Sequence, residues 1–137
     1  MQRQGLYRPA SKTPYTPGYE ASGIVEKVGS SVTDLNPNDR VVVFNSSNMW
    51  KEVVIVPRSN LIKMPDEMSF EDGAGLLVNY ATAYQILFRM AAIRPGDIVL
   101  IHMAAGGVGV AATQLCRTVP GVVVIGTASS AKHDFIR

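Results

Sequence analysis

The sequence predicts an α/β chain, with short strands in its first half followed by a β-α-β unit and the start of another helix. In the first half, short apolar stretches alternate with proline- and glycine-containing turns, a spacing typical of a small barrel or an antiparallel sheet. In the second half, an apolar strand at residues 98–101 runs into the glycine-rich segment 102–109, and another apolar strand follows at residues 122–125. We therefore predict two domains, residues 1–64 and residues 65–137.

Four strands are predicted in the first domain, each bounded by a turn. Pro14, Pro17 and Gly18 mark a bend before the first strand, because proline fixes φ and glycine adopts conformations that other residues avoid. Residues 36–39, which read Asn-Pro-Asn-Asp, form the next turn. The predicted strands are residues 23–28, 40–44, 50–56 and 61–64.

The second domain is predicted to begin with a helix that precedes the β-α-β unit. Ser69 and Asp72 resemble a capping box with aspartate at its last position. A long apolar helix follows at residues 74–92, with a break expected near Asn79, and a last helix is expected to begin at Ser130. One β-α-β unit cannot close a doubly wound sheet, which normally has about six strands, so the chain is interpreted as a piece of a longer protein.

The glycine-rich segment predicts a dinucleotide-binding site. The fingerprint G-x-G-x-x-G falls on Ala104, Gly106 and Gly109, so alanine replaces its first glycine. Gly106 would let a pyrophosphate approach the backbone, and Gly109 would let the following helix pack closely against the strand. The N–H groups at the helix start are the expected phosphate ligands. A plain strand–helix turn would show the same pattern and remains the alternative.

The end of the second strand favours NADPH over NADH. A site for NADH usually carries a carboxylate about twenty residues past the fingerprint, and here the first one is Asp134. Hydroxyl groups and a lysine suit a 2′-phosphate; alternatively, Ser129 only caps a helix and Lys132 is solvated. The predicted cofactor-binding residues are Ala104, Ala105, Gly106, Gly107, Val108, Gly109, Thr127, Ser129, Ser130 and Lys132.

Composition argues against several other classes of protein. The chain has 137 residues, a net charge of +2 and 18% charged residues, and its basic residues are scattered, so no nucleic-acid-binding surface is indicated. Its apolar runs are too short to span a membrane. A single cysteine, Cys116, cannot form an internal disulfide or build a zinc site by itself.

Four sequence motifs follow one another along the chain. Residues 14–25 contain P-x-x-P-G-x-E-x-x-G-x-V, residues 38–41 read Asn-Asp-Arg-Val, residues 82–84 read Thr-Ala-Tyr, and residues 104–109 read Ala-Ala-Gly-Gly-Val-Gly. Together these motifs resemble the medium-chain dehydrogenase/reductase superfamily, in its quinone oxidoreductase branch, with Asn38 replacing the glycine of the family's G-D-R-V turn. The segments that look most like the synaptic vesicle membrane protein subfamily are residues 45–50, 77–80, 114–117 and 126–129.

This resemblance implies an oxidoreductase that does not use zinc. The first domain would be the latter part of a GroES-like barrel, and the second would be the first half of a Rossmann dinucleotide-binding domain. Zinc-containing relatives place a histidine where this chain has Tyr19, and the four-cysteine lobe of those relatives is missing from the sequence. NADPH is the implied cofactor, a quinone or an enone-type carbonyl is the implied substrate, and no zinc is expected.

The resemblance also indicates three candidate catalytic residues. Tyr7 matches a tyrosine that lines the substrate cleft in quinone oxidoreductases, where its phenol could bind a carbonyl; simple packing on the nearby prolines is an equal alternative. Asn79 and Thr82 lie on the helix that faces the nicotinamide in relatives, where polar groups could hold the carboxamide. Trp50 is expected either in the core or in the wall of the cleft.

Two functions remain open from the sequence. One is a cytoplasmic reductase that acts with NADPH on a small carbonyl or quinone substrate. The other is an NADPH-binding protein that works as a regulatory partner at vesicle or organelle membranes, with little or no catalysis. The resemblance allows peripheral membrane association and a homodimer of the full-length protein, and no nucleic-acid partner is expected.

Overall fold

The chain forms two compact units, Met1–Leu77 and Val78–Arg137. The computed structural model describes Gln4, Leu6 and residues 13–136. Within these residues, three strands form an antiparallel sheet and two strands form a parallel sheet. The predicted domain boundary between residues 64 and 65 stays a prediction, because a division by compactness does not identify independent domains.

The first unit is built on the antiparallel sheet, in which β2 is the central strand. Its strands are β1 Glu20–Ile24, β2 Arg40–Phe44 and β3 Leu61–Lys63. The three successive valines at residues 41–43 are all buried. Because successive side chains point to opposite faces of a strand, both faces of β2 must be covered.

Different residues cover the two faces of this sheet. On one face, Val41 packs with Val25 and Leu35 in a small core. On the other face, Gly73 of the following helix comes so close that a β-carbon there would lie 2.9 Å from Val42 Cγ1. The helix therefore packs on β2 through a position that has no side chain.

The turn before β2 contains asparagine where the resembling motif has glycine. Asn38 has a φ of 75°, in the left-handed region, which asparagine tolerates better than most residues. Its N–H donates to the Val25 carbonyl at 2.8 Å, and the Asn36 N–H donates to Asp39 Oδ2 at 2.8 Å. Asparagine is therefore compatible with the backbone conformation of this turn.

Two of the strand predictions in this unit are wrong. The strand expected at residues 23–28 begins earlier and ends at Ile24, opposite the first residue of β2. Residues 50–56 form bends and irregular backbone instead of a strand. The Trp50 N–H donates to the Pro17 carbonyl at 3.0 Å, so the backbone here closes a loop and is not aligned with a neighbouring strand.

Two exposed ion pairs hold loops of the first unit. The guanidinium of Arg58 donates to both carboxylate oxygens of Asp34, at 2.9 and 2.6 Å. Lys63 Nζ lies 2.8 Å from Asp39 Oδ2. These hydrogen bonds lower the pKa of both aspartates, Asp34 through Arg58 and Asp39 through Lys63. Because both pairs are exposed, each is expected to add little to stability.

Helix α1, Phe70–Tyr84, begins with a side-chain cap. The Asp72 N–H donates to Ser69 Oγ at 3.0 Å, and the Ser69 hydroxyl donates to the Asp72 carboxylate at 2.7 Å. The break expected near Asn79 does not occur, because the helix continues to Tyr84 and changes to π-helical geometry only over Gln85–Met90. The long apolar stretch is therefore a single helix with an irregular last part.

The second unit contains the predicted β-α-β unit. Its elements are β4 Ile98–Ile101, α2 Gly107–Cys116, β5 Val123–Gly126, a 3₁₀ turn at Ser130–Lys132 and α3 His133–Ile136. Strands β4 and β5 are parallel, with Val99 opposite Val124. Both valines pack against a core formed by Ala83 of α1 with Ala111 and Cys116 of α2. The two helices therefore cover one face of the parallel sheet.

The opposite face of the parallel sheet is apolar and largely exposed. Its side chains are Ile98, Leu100, Val123 and Ile125, which are 71%, 56%, 54% and 51% exposed. Sheets with parallel strands are normally covered on both faces. This face is thus a large apolar surface that the described residues leave uncovered.

Candidate cofactor-binding site

The predicted cofactor turn connects β4 to α2 at the carboxyl end of the parallel sheet. The Ala104 N–H donates to the Thr127 carbonyl, and the Thr127 N–H donates to the Ile101 carbonyl, both at 2.9 Å. The Gly106 N–H donates to the Met103 carbonyl at 2.8 Å and closes the turn. The turn is therefore tied to the residue that follows β5, at the sheet edge where open α/β folds bind ligands.

Gly106 and Gly109 are restricted by the space around them and not by their backbone conformation. Neither has a φ in the left-handed region. A β-carbon on Gly109 would lie 2.7 Å from Ala104 Cα, 2.8 Å from its carbonyl carbon, and even closer to the Met103 carbonyl oxygen. A β-carbon on Gly106 would lie 3.2 Å from that same oxygen. A larger residue at Gly109 would force α2 and the turn apart, whereas at Gly106 the Met103 carbonyl would have to shift only slightly.

The left-handed conformation in this turn belongs to Met103, one residue before the fingerprint. Its φ is 55° and its side chain is 77% exposed. Ala104 keeps an ordinary φ, which explains how alanine can replace the first glycine of the fingerprint. Sequence reasoning missed this feature, because nothing in the residue type marks a methionine with positive φ.

The start of α2, directly after the turn, provides backbone N–H groups that could bind a ligand. The first N–H groups of a helix have no acceptor inside the helix, and the N-cap residue, Gly106, has no side chain that could cap them. The side chain of Asn79 lies beside Gly107, the first residue of this helix. Small residues together with helix N–H groups form the arrangement that binds phosphate in many proteins.

The residues predicted to select the cofactor follow β5 and are exposed. Thr127 Oγ1 lies 3.0 Å from Nδ1 of His102, which had no predicted role although it directly follows β4. Ser129 occupies the N-cap position of the 3₁₀ turn, but among the described residues its hydroxyl makes no capping hydrogen bond. Ser130 and Lys132 belong to that turn, and the described residues include no ion-pair partner for Lys132.

Two of the three candidate catalytic residues can be placed. Asn79 is half-buried beside the start of α2, and Thr82 is exposed about one turn further along α1. Tyr7 lies outside the described residues. Trp50, which was expected in the core or in a cleft wall, is 72% exposed and packs against Gly18. The structure therefore brings Asn79 to the cofactor turn.

The described residues include no group of three or more His, Cys, Asp or Glu side chains that could hold a metal ion. The two histidines make other contacts: His102 with Thr127, and His133 Nε2 with the Ala128 carbonyl oxygen at 3.2 Å. Cys116 is buried in the core of the second unit, and this burial raises the pKa of its thiol. The thiol is therefore protonated at neutral pH.

The family model described as the alcohol dehydrogenase GroES-like domain matches residues 1–66. With this match and the relatives below, the chain belongs to the medium-chain dehydrogenase/reductase superfamily. The synaptic vesicle membrane protein VAT-1 homolog of Danio rerio is 55% identical over 136 residues, which are 99% of this chain and 28% of that protein.

Two solved structures are similar to the chain over nearly its whole length. The human synaptic vesicle membrane protein VAT-1 homolog-like protein gives a TM-score of 0.95 at 50% identity, covering 99% of this chain and 44% of that one. The Escherichia coli quinone oxidoreductase, crystallised in complex with NADPH, gives a TM-score of 0.84 at 36% identity, covering 95% of this chain and 40% of that one.

These comparisons confirm the fold class predicted from the sequence. The chain combines GroES-like sequence in its first half with the β-α-β unit of superfamily enzymes in its second half. It spans only about a third of the curated relatives, between 28% and 35% of the VAT-1 homologues of zebrafish, rat, mouse and human.

Proposed function

We propose that the protein is a zinc-independent reductase that transfers hydride from NADPH to a quinone or an enone-type carbonyl. The main support is that two features share the carboxyl end of the parallel sheet: the small-residue turn that opens α2, and the exposed polar segment after β5. A relative with 36% identity was crystallised with NADPH, which supports the same cofactor for this chain.

The described residues fit the phosphates of NADPH. Gly106 lacks a β-carbon that would keep a ligand away from the backbone, Gly109 lets α2 pack closely against the turn, and the start of α2 supplies N–H donors. After β5, two hydroxyls and the ammonium of Lys132 offer donors and positive charge to a 2′-phosphate. Residues 127–132 contain no carboxylate that would repel it.

In this proposal the chain binds and orients, while NADPH, when bound, supplies the hydride. The α2 N–H groups hold the pyrophosphate, and Ser129, Ser130 and Lys132 hold the 2′-phosphate. Asn79 and Thr82 help to orient the nicotinamide end. Tyr7 would donate a hydrogen bond to the substrate carbonyl and stabilise the negative charge that develops on its oxygen.

The proposal is tested by NADPH consumption in the full-length protein with a panel of quinones and enones. We expect saturable turnover that a zinc chelator does not reduce, because Tyr19 stands where zinc-containing relatives have a histidine. Lys132→Ala should raise the KM for NADPH and leave that for the carbonyl substrate unchanged. Failure to bind NADPH would refute the proposal.

The names of the curated relatives favour a second function. Several of them are called synaptic vesicle membrane proteins, so the alternative is an NADPH-binding protein that acts at a membrane with little or no catalysis. Among the described residues, no helix has the length and apolar character needed to cross a membrane. Saturable NADPH binding without turnover on any substrate, together with sedimentation on lipid vesicles, would support this alternative over the reductase.

A further inference from the structure

The side chain of Asn79 fills the space beside Gly107 at the start of α2. A β-carbon on Gly107 would lie 2.5 Å from Asn79 Oδ1, 2.9 Å from its Cγ and 3.1 Å from its Nδ2. Ordinary contacts between such atoms are about 3.5–4.0 Å. Gly107 does not have a left-handed φ, so the position is restricted by the space that Asn79 occupies and not by the backbone conformation.

Gly107 differs in this respect from the other glycines of the turn. A β-carbon on Gly109 would meet the backbone of Met103 and Ala104, so its constraint lies within the turn itself. The constraint on Gly107 comes from a side chain of a different helix, α1. The contact with Asn79 therefore links the position of the first residue of α2 to the position of α1.

Further contacts between these helices are made along α2. Ala83 and Leu87 pack with Ala111 in the apolar core, and Tyr80 donates a hydrogen bond to the side chain of Gln114. Apolar packing is not directional, and the Tyr80–Gln114 hydrogen bond meets α2 about two turns after its start, so neither contact acts directly on the first residue of α2. The half-buried carboxamide of Asn79 contacts α2 at Gly107, its first residue, and can fix the position of that residue.

We propose that Asn79 is a positioning residue that sets where the first N–H groups of α2 stand for the cofactor phosphates. This role rests on the proposed function, since it requires that the turn binds NADPH. Hydrogen bonds weaken steeply when their geometry is displaced, and all N–H groups of the first turn move together with the helix. A small shift at Gly107 would therefore weaken several phosphate contacts at once.

The test is a double-mutant cycle on NADPH affinity in the full-length protein, read by the fluorescence of bound NADPH. Gly107→Ala should weaken binding at least about tenfold, because the added carbon must displace α2 or Asn79. Asn79→Ala alone should weaken binding about three- to tenfold, because the helix start loses its contact. With both changes, the new methyl enters the vacated space, so the double variant should bind NADPH as tightly as Asn79→Ala and more tightly than Gly107→Ala.

Gly109→Ala is the matched control, because its β-carbon meets the turn and not Asn79. Asn79→Ala should not restore NADPH affinity to Gly109→Ala, or to Gly106→Ala if the former does not fold. Thermal melts of every variant establish that the titrations are made on folded protein, so that a loss of affinity reflects the position of the turn.

Two results would overturn the inference. If Gly107→Ala binds NADPH equally weakly with and without Asn79→Ala, or if Asn79→Ala rescues Gly109→Ala equally well, Asn79 does not position the turn through Gly107. A parent protein that binds no NADPH would instead refute the proposed function, and the positioning role with it. A parent that binds NADPH and shows rescue only at Gly107 supports both.

Discussion

Two glycines in α1, two residues apart, are expected to respond in opposite ways to replacement by alanine. Gly73 is buried against the antiparallel sheet, and a β-carbon there would lie 2.9 Å from Val42 Cγ1, 3.0 Å from Met64 Cε and 3.1 Å from Met64 Sδ. Gly75 is exposed, and a β-carbon there would meet nothing within 4 Å. The helix geometry is shared, so only the surroundings differ.

The magnitudes follow from two opposing effects. Alanine stabilises a helix interior by about 0.5–1 kcal/mol relative to glycine, mainly because the unfolded chain has less freedom to lose. This gain applies to both positions. At Gly73 the extra methyl also overpacks the contact with β2, which typically costs about 1–3 kcal/mol. Gly75→Ala should therefore raise the free energy of unfolding, whereas Gly73→Ala should leave it unchanged or lower it by up to about 2.5 kcal/mol.

The measurement is denaturant unfolding of the full-length parent and of both variants under identical conditions. The informative quantity is the difference between the two variants, expected at about 1–3 kcal/mol, since their shared helix term cancels. If Gly73→Ala stabilises the protein as much as Gly75→Ala does, the close packing of α1 on β2 is refuted. The flexible end of Met64 can move, so the lower half of the range is favoured.

Four further outcomes are expected. Lys132→Ala should weaken NADPH binding by about 1.5–3 kcal/mol, on the order of tenfold to a hundredfold, and leave NADH binding unchanged; equal affinity of the parent for both cofactors would contradict the assignment. Elemental analysis of protein prepared without added zinc should find well under one equivalent, and stoichiometric, chelator-resistant zinc would oppose this. Asp34→Asn should destabilise the protein slightly at neutral pH. The difference should vanish as the pH falls through the lowered pKa of Asp34, because its pair with Arg58 needs the ionised carboxylate; a difference that persists in acid would exclude the pair as the cause. The 137 residues expressed alone should bind a hydrophobic dye and melt without a sharp transition, because Ile98 and Leu100 lie on an uncovered apolar face; a sharp two-state melt with saturable NADPH binding would contradict this.

Secondary structure was predictable from the sequence where a local pattern carries its own cause. Strand β2 has its predicted bounds because a run of valines after a turn forms a buried strand, and α1 begins at its predicted cap because Ser69 and Asp72 are neighbours in the chain. Residues 50–56 favour a strand by composition but lack one, because a strand also needs a neighbour that supplies hydrogen bonds. Such neighbours are determined by tertiary structure.

The same distinction applies to the candidate site. The fingerprint of Ala104, Gly106 and Gly109 is visible in the sequence because its spacing is local. The contact of His102 with Thr127, and that of Asn79 with Gly107, join residues far apart in the chain and required coordinates. The roles of these residues in binding and catalysis stay predictions.

The left-handed backbone of Met103 has a consequence for redesigning this protein. A non-glycine residue in this region stores roughly 1–2 kcal/mol of strain, and the Met103 side chain extends into solvent. Asparagine, aspartate or glycine would relieve the strain without removing a buried contact. A small library at this one position could thus vary the polarity of the surface beside the turn while the turn keeps its backbone shape, making Met103 a natural starting point for directed evolution.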